Sequence, residues 1–322
     1  MEKLKSKWQA LQAVGSATLF QSFEWNLLAA RIFKDREEPF VVYAETDSGA
    51  ALIPGSIRIR DRALTLLGEE LFDYRDYLHA GAPAVAQEAW RELQKLKLPF
   101  SAKAVRLDAR LWESSLTKQS FTSAPQLTGV SAAAFVSAHV RSASRVRRIL
   151  RKGVHLRCLP GNTPGLEKGG LAKGRLAKWV YAQKARGHAQ SLFRDPLRLE
   201  FLEEVCKGED CEIFLLEAEV NPIAAMVTFR DGGVRRFYTT WFDPAWQQYS
   251  PGIALLYQVS EQTLAEGAGC DYLTGDQPYK MRFANAAVPL FTIESSAEEF
   301  GRAQFQDLVE ANPLGILKLK AS

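Results

Sequence analysis

The side chains and spacings best suited to chemistry lie between Tyr249 and Phe283. Tyr249-Ser250-Pro251-Gly252 opens an apolar run of helical period, and the first amides of such a helix have no partners within it. An end of that kind attracts anions. Ser250 as N-cap and Pro251 at the first helical position are equally the ordinary furniture of a helix start. Further on, the short apolar run Cys270–Leu273 stops before Gly275-Asp276, and Tyr279-Lys280-Met281-Arg282-Phe283 follows. Lys280 stands just past a strand end, where α/β sheets hold ligands, and its compact ammonium could grip a phosphate as a point charge. Arg282 reads as part of a solvated face. Asp276 is either a turn residue or, within reach of an acceptor, a general base. Tyr249 and Tyr279 could each donate a proton to a leaving group, or each could satisfy a backbone carbonyl from the core.

A second group gathers acids and phenols between a strand and a helix: Asp73, Tyr74 and Asp76 within Glu69–Tyr77. It is a capped turn or a place to bind a hydroxyl-rich acceptor. A third is the lopsided basic run Arg141, Arg145, Arg147, Arg148, Arg151, Lys152, continued by Lys168, Lys173, Arg175, Lys178, Lys184 and Arg186. Glu167 is the only acid between Arg141 and Arg186. The run is a solvated helix face, or a grip for tRNA, a nucleotide-sugar diphosphate or an anionic membrane surface. Only Trp179 and Tyr181 interleave aromatics, which disfavours stacking of single-stranded RNA. His79, His139, His155 and His188 have no ligand spacing, and Cys158, Cys206, Cys211 and Cys270 form no Cys-x-x-Cys pair. No metal is expected, and scattered thiols point to a reducing compartment.

The elements that must position these groups can be read from period and punctuation. Phe20–Phe33 has helical spacing; Phe40–Ala44 and Ala50–Arg58 are strands joined at Asp47-Ser48-Gly49; Ala63–Leu67 is a third strand. A helix from Pro83 to Leu96 and a strand over Ser101–Leu107 follow. The Ser/Thr/Pro/Gly-rich stretch Phe121–Gly129 reads as a link, so domains are expected at 1–125 and 126–322. Ser131 caps a helix bearing Phe135 and Val136, Pro160–Gly174 is a loop, and helices cover Leu176–Ala185 and Leu197–Val205. Three antiparallel strands, Glu212–Glu217, Pro222–Phe229 and Val234–Trp241, lead into the Tyr249 segment. A strand at Pro289–Ile293 and a helix from Ser296 to Val309 finish the chain, the helix packing either on its own domain or back on the first. The element order of the second half is repeated in shorter form by the first, which is an α/β pattern with mixed sheets.

With 322 residues, 47% apolar and 24% charged, the chain has the make-up of an ordinary globular protein large enough for two domains. A net charge of +4 does not by itself call for a nucleic-acid or membrane partner. The basic N-terminus has no apolar run behind it and no window reaches the length of a membrane span, so a cytoplasmic location is expected.

Trp241-Phe242-Asp243-Pro244, Tyr249-Ser250-Pro251-Gly252, Glu266-Gly267, Asp271-Tyr272, Gly275-Asp276 and Tyr279-Lys280-x-x-Phe283 resemble a group of bacterial GNAT-like acyltransferases. Members of that group are often encoded beside cellulose or exopolysaccharide synthesis genes, and they are similar to the Fem-type aminoacyl transferases of cell-wall synthesis. The resemblance reaches the first half through Phe20-Gln21-Ser22-x-Glu24-Trp25, Pro39-Phe40 and Gly68…Asp73-Tyr74-x-Asp76. It implies two tandem GNAT-like domains and acyl transfer from acetyl-CoA or another acyl-CoA to an amine or hydroxyl of a sugar or cell-envelope precursor. Aminoacyl-tRNA as donor, and a non-catalytic binding module on a GNAT scaffold, are the alternatives. The family's pyrophosphate loop would fall on Ser250, Gly252, Ile253 and Ala254, with Tyr249 at its Arg/Gln position. Pro251 offers no amide there, so the cradle is thinner than usual. The resemblance further implies a donor cleft at Thr239 and Trp241, where a backbone amide would polarise the carbonyl, catalytic roles for Asp276, Tyr279 and Tyr249, and acceptor contacts from Lys280, Asp73, Tyr74 and Asp76.

Overall fold

The computed structural model describes residues 1–14, 17–68, 71–159, 169–187, 191–305 and 317–318, the side chains of 169–172 and 317–318 excepted. Two compact units divide the chain: Met1–Ser123 with 288–305, and Ala124–Ala287. The break lies two residues before the expected one, but the segment after Val288 clusters with the first unit rather than the second.

In the first unit, helices α1 (Lys5–Ala13) and α2 (Phe23–Ile32) precede the hairpin β1 (Glu37–Thr46) and β2 (Gly49–Arg58). Strand β3 (Ala63–Leu66) pairs antiparallel with β2 and parallel with β5 (Phe100–Arg106), while β4 (Leu78–Gly81), unseen in the sequence pattern, lies on the other end of β2. Helix α3 (Pro83–Gln94) starts on a proline at its first position and buries Val85, Ala89, Trp90 and Leu93, one stripe of period 3.6. Trp90 stacks on Phe305 at 4.1 Å and meets Phe100 edge-on. The residues of α10 (Ala297–Arg302), capped by Ser296, and of β12 (Ala286–Ser295) from Leu290 onward complete this core. The helix expected to run to Val309 ends instead at Arg302, where Ala303 turns extended; residues 306–309 lie outside the described residues.

The second unit begins inside β6 (Lys118–Leu127), so the Phe121–Gly129 stretch is not a link but a strand. Its Gln126 and Leu127 pair with β11 (Gly269–Asp271), and the Pro125 carbonyl accepts the Tyr272 amide at 3.0 Å. Serine, threonine and proline made this strand look like a linker; sheet pairing overrides composition where alternate residues, here Pro125 and Leu127, are buried. Helix α4 (Ala132–Ala138) is capped by the Ser131 hydroxyl, and α5 (Val140–Leu150) buries Val146 and Ile149 while Arg141, Arg147, Arg148 and Arg151 face outward. After β7 (Val154–Leu159), another unexpected strand, α6 (Gly169–Gly187) is helical where a loop to Gly174 was expected; residues 160–168 lie outside the description. Helix α7 (Pro196–Val205) then leads to the antiparallel β8 (Cys211–Ala218), β9 (Asn221–Asp231) and β10 (Val234–Phe242). Helix α8 (Pro251–Ala265) is apolar nearly all round and buried on most of its faces, and β11 is parallel to β10. The sheet order β6-β11-β10-β9-β8-β7 is a mixed sheet with α8 crossing over between the parallel pair. The α/β class with mixed sheets is the one observed.

Candidate functional site

Strands β10 and β11 pair at only three positions, Val234 with Gly269, Arg235 with Cys270 and Arg236 with Asp271. Beyond that point they part. Two features hold the split open. On β10 the register against β9 slips between Phe237 and Thr239, a bulge that turns the strand and redirects the residues after it. On β11, the buried Asp271 carboxylate accepts the Arg236 guanidinium at 2.5 Å and the Leu273 amide at 2.8 Å, which fixes the chain as it leaves the sheet. Leu273 takes φ 58°, the left-handed region, and Gly275 takes φ 105°. A leucine there is strained, and the strain is held by that carboxylate and by burial of the side chain.

The separation creates a cavity of about 190 Å³ in the second unit. Thr239 and Thr240 line it from β10, Thr274 and Gln277 from the segment after β11, Tyr279 and Lys280 from the short helix α9 (Pro278–Met281), and Lys184 from α6. Lys280 Nζ donates to the Thr274 carbonyl at 2.7 Å, and Lys184 Nζ donates to the Thr239 hydroxyl at 2.6 Å. Tyr279 is 40% exposed, and the protein around it desolvates the phenolate, which raises its pKa. Tyr272 is fully buried beneath, its hydroxyl 2.9 Å from Ser260 Oγ on α8.

Of the residues singled out in the sequence, Thr239, Tyr279 and Lys280 meet in this cavity. Asp276 sits in the same turn but is exposed and does not line it. Trp241 lies two residues further along β10 and meets Trp179 edge-on, with centroids 5.0 Å apart. Tyr249 packs with Trp246 against the core of the unit, and the Arg148 guanidinium lies over its ring at 6.0 Å.

Ser250, Gly252, Ile253 and Ala254 form the start of α8, outside the cavity lining. Ser250 occupies the cap position yet adopts φ 51°, ψ 55°, and its side chain makes no capping bond. The ordinary N-cap role is therefore not the one it plays. Its carbonyl accepts the Ala254 amide at 3.1 Å, and by helix geometry the amides of Gly252 and Ile253 are left pointing out of the helix end. Ala254 is buried. A Cβ on Gly252 would come 3.3 Å from the Phe242 ring, so glycine permits a close approach at this end.

The acidic cluster belongs to the first unit. Asp76 accepts the backbone amides of Arg110 at 3.0 Å and Leu111 at 2.9 Å, capping the short helix Arg110–Glu113. Burial nonetheless raises its pKa to about 6. Tyr74 is buried, edge-on to Phe20 and under the Arg106 guanidinium at 4.9 Å. Asp73 is half-buried in the preceding turn. The cap explains Asp76 without a ligand, which is the plainer of the two readings open at the sequence level.

Sequence reasoning passed over Thr240, Thr274 and Gln277, and placed Lys184 only within the basic run. For Lys184 a signal existed. It follows Ala177, Val180 and Tyr181 at helical spacing, so a lysine falls on the buried stripe of α6. The rest of the basic run separates by role: Lys173 is buried and donates to the carbonyls of Gly208 and Cys211, and Lys178 pairs with Glu203 at 2.7 Å. Among the described residues, no group of three His, Cys, Asp or Glu side chains could hold a metal ion. The four cysteines are free thiols.

A parallel strand pair that splays after a bulge, with a buried helix crossing between its members, is the arrangement of the GNAT fold. The family model described as an acetyltransferase (GNAT) domain matches residues 140–281, the stretch that contains α5 to α9, so a GNAT domain is present in this chain. Among solved structures, FemX covers 90% of this chain and 94% of its own, with a TM-score of 0.57 at 10% identity. L-PGS from Bacillus licheniformis covers 89% of this chain and 90% of its own, with a TM-score of 0.55 at 11% identity. The C-terminal domain (DUF2156) of an Agrobacterium fabrum chain described as a lysylphosphatidylglycerol synthetase covers 86% and 94%, with a TM-score of 0.56 at 10% identity. Likeness at such identities is a likeness of fold. No curated protein matches the chain.

Proposed function

We propose that this chain is an acyltransferase that moves an acetyl or acyl group from acyl-CoA to an amine or hydroxyl. The observation that carries the reading is the cavity opened where β10 and β11 part, inside the region that matches the GNAT model. The chain's own residues fit a CoA thioester in two respects. Gly252 and Ile253 stand in the first turn of α8, where helix amides lack partners within the helix and favour pyrophosphate oxygens. Beyond the bulge, the β10 backbone near Thr239–Trp241 is turned out of register, and an amide there can donate to a developing oxyanion. Pro251 contributes no amide, so the cradle has fewer donors than a helix start with three free N–H groups.

The mechanism is direct and needs no covalent intermediate. Positioning of the acceptor supplies much of the rate. Lys280 holds the acceptor, whose nitrogen or oxygen attacks the thioester carbonyl as the C–S bond breaks; the Tyr279 phenol, protonated at neutral pH, donates to the leaving thiolate, and the proton lost by the acceptor returns to Tyr279 through solvent. Asp276 acts only if the exposed turn closes over the cavity. Envelope or exopolysaccharide precursors in the cytoplasm are the acceptors we favour; no described helix is long and apolar enough to cross a membrane. Calorimetric titration with acetyl-CoA tests the reading. Saturable binding together with transfer to amines or sugars is expected, with Lys280→Ala reducing transfer at least tenfold. Absence of saturable heat would leave a non-catalytic module.

The outward cations of α5 favour one second reading, aminoacyl-tRNA as donor. RNA binding that weakens steeply with salt would support it.

A further inference from the structure

Helix α5 carries its cations on one broad face. Arg141, Arg145 and Arg148 follow the helical spacing of one row, Arg147 and the cap residue Arg151 form the adjoining row, and Lys152 comes next. All are exposed except the half-buried Arg145. Other exposed cations have carboxylate partners: Lys95 pairs with Glu92, Lys178 with Glu203 and Arg302 with Glu298. On α5, none of the six forms an ion pair with a described residue. Arg147 donates to the Ser144 hydroxyl at 3.2 Å, Arg151 to the Arg147 carbonyl at 3.3 Å, and Arg148 lies over the Tyr249 ring. Glu261 on α8 shares the neighbourhood of Tyr257 with Arg147 but makes no salt bridge to it.

Positive charge left unmatched on an outward face attracts an anionic surface. The neighbours of the face narrow the choice of surface. Val140, 57% exposed, falls on the side of Arg147 by helical spacing. Tyr249 and Trp246 stand beside Arg148 on the short helix Pro244–Tyr249, their rings 5.5 Å apart. Both are half-buried, and a guanidinium already covers Tyr249, so neither is an open platform on which a nucleic-acid base could stack. A bilayer suits this mixture better. Its head groups answer the arginines, and tryptophan, tyrosine and an exposed valine fit the boundary with the acyl chains. The apolar stripe of Val146 and Ile149 is buried in the core, so α5 does not insert and its contact is chiefly electrostatic.

We infer that the outward face of α5, with the aromatic turn Pro244–Tyr249 beside it, docks on an anionic phospholipid bilayer. Lipid phosphates supply the counter-charge that the fold does not give these arginines. The inference stands apart from the transferase reading: it concerns the surface on which the protein works, whichever donor it uses.

Cosedimentation of the full chain with vesicles of two parts phosphatidylcholine to one part phosphatidylglycerol tests it, with pure phosphatidylcholine as the neutral control. Binding to the anionic vesicles that weakens steeply with salt is expected, with little binding to the neutral ones. The combined variant Arg141→Gln, Arg147→Gln and Arg151→Gln should lose affinity by about fivefold for each arginine removed. A second combined variant, Lys95→Gln, Lys178→Gln and Arg302→Gln, lowers the net charge equally on other surfaces and should bind as the wild type does. Equal melting temperatures in the two variants separate lost contact from lost fold. No binding to anionic vesicles, equal binding to neutral ones, or equal loss in both variants would each overturn the inference. Binding of tRNA that disappears in the α5 variant, without any binding of vesicles, would overturn it as well and give the face to RNA.

Discussion

Arg236 and Asp271 face each other across the last paired rung of β10 and β11, with Nη1 and Oδ2 2.5 Å apart and Asp271 only 1% exposed. This pair stands where the two strands begin to diverge. Arg236 also reaches Asp231 at 2.5 Å, and Asp271 receives the Leu273 amide, so both members are tied to several groups. A buried pair of this kind is weak evidence for net stability, but removing Asp271 takes one of two carboxylates from a buried guanidinium and the acceptor from the Leu273 amide. Asp271→Ala should therefore cost about 1–3 kcal/mol in denaturant unfolding, below the ~3–5 of a fully unpaired charge because Asp231 remains. Breaking the exposed Lys7–Glu45 pair should leave the unfolding transition nearly unchanged, because solvent screens it. A loss below about 1 kcal/mol in Asp271→Ala would mean that the rung does not hold the split.

At the start of α8, stability and ligand binding should move in opposite directions. A Cβ on Gly252 would meet the Phe242 ring at 3.3 Å, a tight contact that this 41% exposed ring can relieve by shifting a few tenths of an ångström. An acid in the first turn of a helix complements its dipole by about 0.3–1 kcal/mol. Gly252→Asp should accordingly leave the melting temperature unchanged or raised while acetyl-CoA affinity falls at least tenfold, because a carboxylate would occupy the place of the pyrophosphate. Equal affinity in the variant would remove this helix end from the donor site.

Asp76 gives a pH signature. Its folded pKa of about 6 lies above the ordinary aspartate value of 3.8 because burial disfavours the carboxylate more than the amides of Arg110 and Leu111 favour it. The folded state thus holds a proton that the unfolded state has released. Its contribution is fully present below pH ~4 and is lost as pH rises through about 6. Asp76→Asn cannot ionise, so the difference in unfolding free energy, variant minus wild type, should grow by about 1–2 kcal/mol between pH 4 and 7. A flat difference would show that the carboxyl titrates alike in both states. The variant should be less stable than wild type at pH 4, since an amide replaces one of the two acceptors of the cap with a donor.

The parts of this fold that were legible in sequence are those governed by local pattern. The hairpin at Asp47-Ser48-Gly49, the Ser131 cap, the three strands from Cys211 to Phe242 and the helix after Pro251 all follow from period and turn chemistry. Strands β4, β6 and β7 were not legible, because short or polar strands are defined by the partners they find, and Phe121–Gly129 has the composition of a linker. The site divides in the same manner. Thr239, Tyr279 and Lys280 are near one another because strand ends and the following turn bring them together, which the order of elements already implies. Lys184 comes from a helix far away in sequence, and only tertiary packing brings it to Thr239. Asp76 shows a second case: a residue type suited to binding caps Arg110 and Leu111 while it lines, with Tyr74, a small cavity of the first unit.

The outward face of α5 separates the two donor readings. Arg141, Arg147, Arg148 and Arg151 are exposed, whereas Val146 and Ile149 anchor the helix, so the face can be altered without touching the core. Arg147 donates to Ser144 at 3.2 Å, and Arg148 lies over the Tyr249 ring, contacts worth little at the surface. Arg141→Gln, Arg147→Gln and Arg151→Gln should each change stability by no more than about 0.5 kcal/mol. If the donor is aminoacyl-tRNA, binding of tRNA measured against salt should have a slope that falls by about 0.7–0.9 for each phosphate-contacting arginine removed. If the donor is acyl-CoA, the triple variant should retain acetyl-CoA affinity within about twofold, since none of the three lines the cavity or the start of α8. Loss of acetyl-CoA binding in the triple variant, with the fold intact, would place the coenzyme on α5 and overturn the assignment of its phosphates to Gly252 and Ile253.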